Sequence, residues 1–362
     1  MKRALNLVLS LTATVVCSWY AFRDADWSSQ WVSLRHANYW WLVPYLAILL
    51  VIHLCRTLRW GALLSGLERV PFRALNESSS IGFMMLIVLP FRLGEFARPF
   101  LIANRSGIRR SPAMATVVVE RIVDGILVAL LLRGLMFFIP QDAPNYGKVL
   151  WASNVMFAIF LGGLVFLLFA YWQQARAVRL IRAFTGWIST GLADKAAHMV
   201  EGFVGALRQL PSRRQVARFF LLTLTYWVLN AGGMMIAARA FASEGNGWDL
   251  TLFQAFTVMC TLVVGVMIPS APGMVGTFQA GIKFGLGLFL PAAVVNAEGL
   301  AFANVVWLIQ TSQQIGLGLL MMSLGHLSFS EIAGKLAEQK AEAKGGEDAA
   351  RVEEAGPSKA SA

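Results

Sequence analysis

The sequence predicts an all-α polytopic membrane protein, built as an inverted repeat of transmembrane helices with two re-entrant hairpins. Three observations predict it. Of the 362 residues, 57% are hydrophobic and only 14% charged, whereas an average soluble domain is about 45–50% apolar. Several apolar stretches reach the length of about 20 residues that a helix needs to cross a hydrocarbon core of about 30 Å. Finally, Pro90, Gly94 and Pro112 recur as Pro269, Gly273 and Pro291, all displaced by the same 179 residues.

Residues 1–330 read as one transmembrane domain with halves of about 1–145 and 146–330. Ala4 to Phe22 follows Met1, Lys2 and Arg3 and has the outline of a signal peptide. It is long and lacks a clear small-residue cleavage site, so it is expected to stay as the first span. Trp40 to Arg59 is the second. Ser78 to Pro90 is too short for an ordinary span and has basic loops on both sides. It is expected to enter and return by Asn104, a short tilted span being the alternative. Such backbone is tolerated at membrane depth only where protein buries it or it lines a wet cavity. Ala113 to Ile139 follows Pro112, which costs no hydrogen bond if it lies in the first helical turn.

The second half repeats the order, with Trp151 to Trp172, Phe219 to Phe241, a hairpin from Leu252 to Leu290 and a last span after Pro291. Each half then crosses an odd number of times, which inverts the second half and brings its hairpin in from the opposite side, for six full spans in all. Within 176–210, Arg176, Arg179 and Arg182 alternate with Val178, Ile181, Phe184 and Trp187. That pattern predicts an amphipathic helix on the cytoplasmic surface, held by anionic lipids. Residues 331–362 form a charged cytoplasmic tail, expected to be disordered at least from Asp348 because it offers no apolar face.

Charge sets the orientation. Of 31 Lys and Arg residues, 24 fall in one set of loops, the termini included, and only Arg23, Arg35 and Lys148 in the opposing loops. Arg56, Arg59, Arg69 and Arg73 count with the first set. The positive-inside rule places both termini in the cytoplasm. The net charge of +11 follows from this topology and not from a basic stripe, so no nucleic-acid partner is expected. Cys17, Cys55 and Cys260 lie far apart in apolar runs and read as core packing, without a disulfide framework. Four scattered histidines, with no HExxH, P-loop or nucleophile elbow, give no sign of a metal, a cofactor or a catalytic centre.

Three clusters carry the chemistry. Arg92, Glu95 and Arg98 put charge at the elbow made by Pro90 and Gly94. Arginine's planar fork suits phosphate oxygens, so a lipid phosphate is the natural ligand; surface residues obeying the positive-inside rule are the alternative. Glu120, Arg121 and Asp124 lie near mid-membrane on the helix after Pro112. Ionisable groups there point to function by default, although a locked Glu-Arg-Asp network could equally be structural glue. The third cluster, Pro269 to Gly276 followed by Thr277, Gln279 and Lys283, contains two prolines besides Gly273 and cannot continue a helix. Gly281 and Gly285 have the spacing of helix packing.

The runs PFRLGEFAR, VVVERIVDG and PSAPGMVGTFQAG resemble the flippase-like family typified by the transmembrane region of lysylphosphatidylglycerol synthase, over about residues 5–325. The resemblance implies lipid handling in a bacterial inner membrane. By motif it assigns Arg92, Gly94, Glu95 and Arg98 to the first signature, Glu120, Arg121 and Asp124 to the second, and Pro272, Gly273 and Gly276 to the third. Gln279 stands where the family pattern has glutamate, which removes a titratable group from the second hairpin. The synthase carries a soluble aminoacyl-transfer domain after its membrane region. None is expected in this chain, which is therefore not expected to make aminoacyl lipids. Expected partners are a membrane lipid substrate, such as a phospholipid, an aminoacyl-phosphatidylglycerol, a polyprenyl-phosphate or a hopanoid-type glycolipid, and a lipid-modifying enzyme. A membrane-embedded enzyme using Glu120 and Asp124, or an accessory subunit, are the other readings.

Overall fold

Apolar runs in hydrocarbon find no water for their N–H and C=O groups, and the helix satisfies those groups within the segment. The computed structural model describes residues 12, 14–89, 94–186, 204–205, 212–242, 249–268, 270 and 272–325, and every regular element among them is helical. In order they are α1 (14–22), α2 (Trp27–His36), α3 (Leu42–Leu64), α4 (Phe72–Val88), α5 (Ala97–Ala103) and α6 (Arg110–Met136). Then come α7 (Tyr146–Trp172), α8 (Gln174–Gly186), α9 (Arg213–Ala238), α10 (Leu252–Met267), α11 (Thr277–Leu286) and α12 (Ala292–Leu324). A π-helical turn at Val295–Gly299 interrupts α12.

Among the described residues four helical stretches are both long and apolar enough to cross a membrane: Tyr39–Leu64, Tyr146–Trp172, Arg213–Phe241 and Ala292–Leu324. Six full spans were expected. The 27 residues of α6 would rise about 40 Å, but Glu120, Arg121, Asp124 and Arg133 set it apart from these four. α7 turns Trp151, Ile159, Val165 and Trp172 outward, a face suited to lipid.

α3 and α9 pack side by side, and the largest core gathers Tyr45, Leu49 and Ile52 with Met234, Phe278, Phe302 and Val306. Around this pair stand two antiparallel helical hairpins, α4 with α5 and α10 with α11. In the first, Gly82 meets the stem of Arg98, and Gly94 lies against the Met85–Leu86 backbone. In the second, Gly265 lies on Thr277 and Gly281, and Gly285 lies on Val258. Gly281 and Gly285 thus serve close packing. The limb of the first hairpin begins at Phe72, earlier than the expected Ser78.

The hairpins enter from opposite ends of the bundle. α10 starts beside the α6–α7 connection, where Phe138 meets Phe253 edge-on at 6.5 Å. At the other end Glu77 of α4 pairs with Arg105, close to Gly325 after α12. The limbs of the two hairpins share one offset, since 180 residues separate Phe72 from Leu252 and also Ala97 from Thr277.

Two sequence expectations need correction. Arg56 and Arg59 are not loop residues, because α3 continues to Leu64 and carries both inside the bundle. Arg98 is buried as well, so the basic loops hold fewer residues than the sequence count assigned to them. In α8 Ala177 and Val178 are buried, while Arg176, Arg179, Leu180 and Arg182 are exposed. Trp187 and the tail from 331 lie outside the described residues.

A Cβ on Gly94 would fall 2.0 Å from the backbone nitrogen of Leu86, whereas one on Gly134 meets nothing within 4 Å. Gly94→Ala is therefore expected to destabilise the fold by at least about 1–3 kcal/mol, the usual scale of overpacking. Gly134→Ala should leave thermal unfolding in detergent unchanged.

Candidate functional site: a buried arginine–carboxylate network

Residues three or four apart share a helix face, and this spacing builds the centre of the molecule. α3 offers Arg56 and Arg59, α6 offers Glu120 and Asp124, and α5 brings Arg98 back beside them. Arg59 donates from Nη1 to Asp124 Oδ1 at 2.7 Å and from Nη2 to Asp124 Oδ2 at 2.6 Å. Its Nη2 also reaches Glu120 Oε1 at 2.6 Å. Arg98 Nη1 donates to the other Glu120 oxygen at 3.3 Å. Arg59, Arg98 and Glu120 are all at most 2% exposed.

Arg121 stands at the edge of this core, 3.7 Å from Glu120 and 4.0 Å from Asp124, and Glu95 acts on it electrostatically. Aromatic rings cover the guanidinium planes. Arg98 lies over Trp60 at 4.4 Å and over Phe83 at 4.6 Å, Arg56 over Phe83 at 3.5 Å, and Arg59 over Tyr226 at 4.8 Å. Such contacts favour cations that have left water. Trp60 is in turn held by its Nε1 donating to Thr116 Oγ1 at 3.0 Å.

Among the described residues the network is not saturated. Nε of Arg56, Arg59, Arg98 and Arg121, together with Nη2 of Arg98, are buried with no hydrogen-bond partner among them. Beside them opens a cavity of about 170 Å³ with a mixed lining, in which Arg56, Arg121, Asp124, Asn230 and Gln310 stand among apolar residues such as Met259, Leu262 and Val263. Both hairpin tips reach it, through Leu86 and Ile87 on one side and Gly273 and Met274 on the other. A second cavity of about 610 Å³ lies between α1, α7, α10 and α11 and is lined by apolar groups such as Val16, Trp151, Val264 and Phe284.

The residues singled out in the sequence divide into three groups. Glu95, Arg98, Glu120, Arg121 and Asp124 converge in one network, although only Arg121 and Asp124 line the cavity; Arg98 and Glu120 are packed behind it. Gly94, Pro272, Gly273, Gly276 and Gln279 shape the hairpins. Gly273 and Gly276 have φ of 79° and 84°, where a side chain would be strained. A Cβ on Gly276 would also lie 2.2 Å from Ser18 Oγ of α1. Gly273 presents its carbonyl to Trp307 Nε1 at 2.7 Å. Gln279 accepts from the Gly276 N–H at 2.8 Å and donates to Asn304 Oδ1 at 3.2 Å, a donation that an ionised glutamate cannot make. Arg92 lies outside the described residues.

Sequence reasoning missed Arg56 and Arg59, as well as Tyr226, Asn230 and Gln310. A signal for Arg59 existed, because Trp60 to Leu64 continue the apolar run beyond it.

Residues 5–318 match the family model described as the lysylphosphatidylglycerol synthase TM region. The chain belongs to that family. No match was found among curated proteins or among solved structures. Membership of this membrane family spans every element of the network, from Arg56 on α3 to Gln310 on α12.

Removing one partner of a buried ion pair strands the other charge, at a cost of about 3–5 kcal/mol. Asp124→Ala is accordingly expected to lower stability in detergent by that order, while Asp249→Ala, at a 75% exposed carboxylate, should change it by less than about 0.5 kcal/mol. The double variant Arg59→Met/Asp124→Leu should recover part of the loss.

Proposed function

We propose that this protein binds a phosphate-bearing lipid and moves its headgroup across the bacterial inner membrane through the cavity at the hairpin tips. The observation that carries this reading is the cavity itself: a chamber between the helices into which Arg56 and Arg121 bring positive charge, backed by arginine N–H groups that have no partner among the described residues. Charges at membrane depth need partners or water, and a phosphate oxygen supplies what these donors lack. Arg56 and Arg121 contact the phosphate in this reading. Arg59, Arg98 and Glu120 are positioning residues that hold α3, α5 and α6 around it, and the acyl chains stay in the lipid.

The proposed architecture is an inverted repeat in which α4–α5 dips in from the cytoplasm and α10–α11 from the opposite side, with both termini cytoplasmic. The shared spacing of 180 residues and the opposite entry ends of the two hairpins support it. Inverted repeats with broken helices meeting near the midplane are a frequent transporter design. An acid/base role for Glu120 and Asp124 is disfavoured, since Arg59 and Arg98 already occupy their oxygens. The proposed activity is transport without covalent change of the lipid, in the company of a lipid-modifying enzyme.

In proteoliposomes carrying a headgroup-labelled phospholipid, Arg56→Gln and Arg121→Gln should each slow transfer at least about tenfold. Arg110→Gln, in the basic loop, should slow it less than about twofold. Equal losses at all three positions would mean that surface potential alone attracts the lipid, and the cavity assignment would fall. Single cysteines at 69 and 106 should be labelled from one side of the membrane and those at 249 and 291 from the other. Labelling of 69 and 106 from opposite sides would make α4–α5 a full crossing and end the repeat reading.

A further inference from the structure

We infer that the cavity selects a lipid of net negative charge with a neutral, hydroxyl-rich headgroup and rejects one whose headgroup carries ammonium groups. This inference rests on the reading of the cavity as a headgroup site and names the class of lipid that fits it. The first argument is charge. Among the described residues, Arg56, Arg59, Arg98 and Arg121 face only three carboxylates, Glu95, Glu120 and Asp124. One positive charge is left over in a partly dehydrated place, where it is poorly screened. A single phosphodiester neutralises it.

The second argument is the carboxylate an ammonium would need. Asp124 is the only acidic residue among the described residues lining the cavity. Both of its oxygens are already held by Arg59, at 2.7 and 2.6 Å. An ammonium group arriving here would meet Arg56 and Arg121 and find no free carboxylate. Like charges brought together at such a site cost affinity and exclude the wrong partner.

The third argument is the set of amides, Asn230, Gln310 and Gln314, that share the cavity lining with the arginines and with apolar residues. Asn230 spends its N–H on the Tyr226 carbonyl at 2.7 Å, and Gln310 spends one on the Tyr45 hydroxyl at 2.7 Å, so each keeps its carbonyl oxygen. Gln314, one helical turn beyond Gln310, adds a third amide to the lining. Carbonyl acceptors beside a further amide suit hydroxyls, which donate and accept at once. A glycerol or sugar headgroup has that chemistry, whereas the lysyl ester of phosphatidylglycerol carries two ammonium groups against one phosphate.

The experiment is native mass spectrometry of the full chain, presented with phosphatidylglycerol, its lysyl ester and phosphatidylmethanol in equal amounts over a phosphatidylcholine background. Phosphatidylmethanol keeps the charge and lacks the hydroxyls. Phosphatidylglycerol should exceed the lysyl ester by at least about tenfold and phosphatidylmethanol by about threefold or more. Gln314→Glu supplies a carboxylate and should raise the lysyl-ester share about tenfold, a gain that misfolding cannot imitate. Lysyl ester bound as well as phosphatidylglycerol, or an unchanged ratio in Gln314→Glu, would overturn the charge selectivity while leaving the headgroup site standing. Equal binding of phosphatidylglycerol and phosphatidylmethanol would overturn the hydroxyl preference. If none of the three exceeds phosphatidylcholine, the headgroup site itself fails.

Discussion

The bidentate contact of Arg59 with Asp124, extended through Glu120 to Arg98, is the constraint on which the rest of the structure depends. Three helices distant in sequence are tied at one point, because each ion has left water and is tolerable only in the company of the others. The geometry is demanding. Arg59 must approach both carboxylates of α6 in plane, which fixes the rotation of α3 and of α6 about their own axes. Once those are set, the aromatic partners Trp60, Phe83 and Tyr226 have little choice of position.

Small residues solve the complementary problem of bringing backbones close. Gly82 leaves room for the stem of Arg98 to cross α4, so the first hairpin closes because a charged side chain occupies the missing side chain's place. In the second hairpin Gly265, Gly281 and Gly285 bring helix against helix directly, while Lys283 points away to the Tyr20 and Ala21 carbonyls of α1. One hairpin is thus locked by ions and the other by contact. Gln279 completes the contrast, since it holds the second tip by neutral hydrogen bonds to Gly276 and Asn304.

The asymmetry bears on function. Charge is concentrated at the first hairpin and its partners α3 and α6, while the second contributes Gly273, Met274 and apolar side chains to the shared cavity. In the proposed transport a headgroup would meet both the fixed arginines and the amides of α9 and α12. That arrangement can hold an anion firmly without trapping it, because the amides offer hydrogen bonds but no opposing charge.

Composition and spacing alone determined that the chain is helical and membrane-embedded, with helix breaks at Gly94 and Gly273 and intramembrane charges at Glu120, Arg121 and Asp124. These follow from local physics: hydrocarbon demands helices, proline and glycine interrupt them, and a charge in an apolar run stands out. Spacing also foretold that Glu120 and Asp124 share a face, as their common partner Arg59 bears out. What they would pair with was not legible. Arg59 looked like a loop residue at the end of a span, and only tertiary packing decided that α3 runs on to Leu64 and carries it into the core. Asn230, Gln310 and Gln314 were equally silent, being ordinary polar residues in apolar helices until α9 and α12 converge on α6. Hydropathy is a property of one segment, but a buried ion pair belongs to two, and the pairing exists only once the fold has brought both partners out of water.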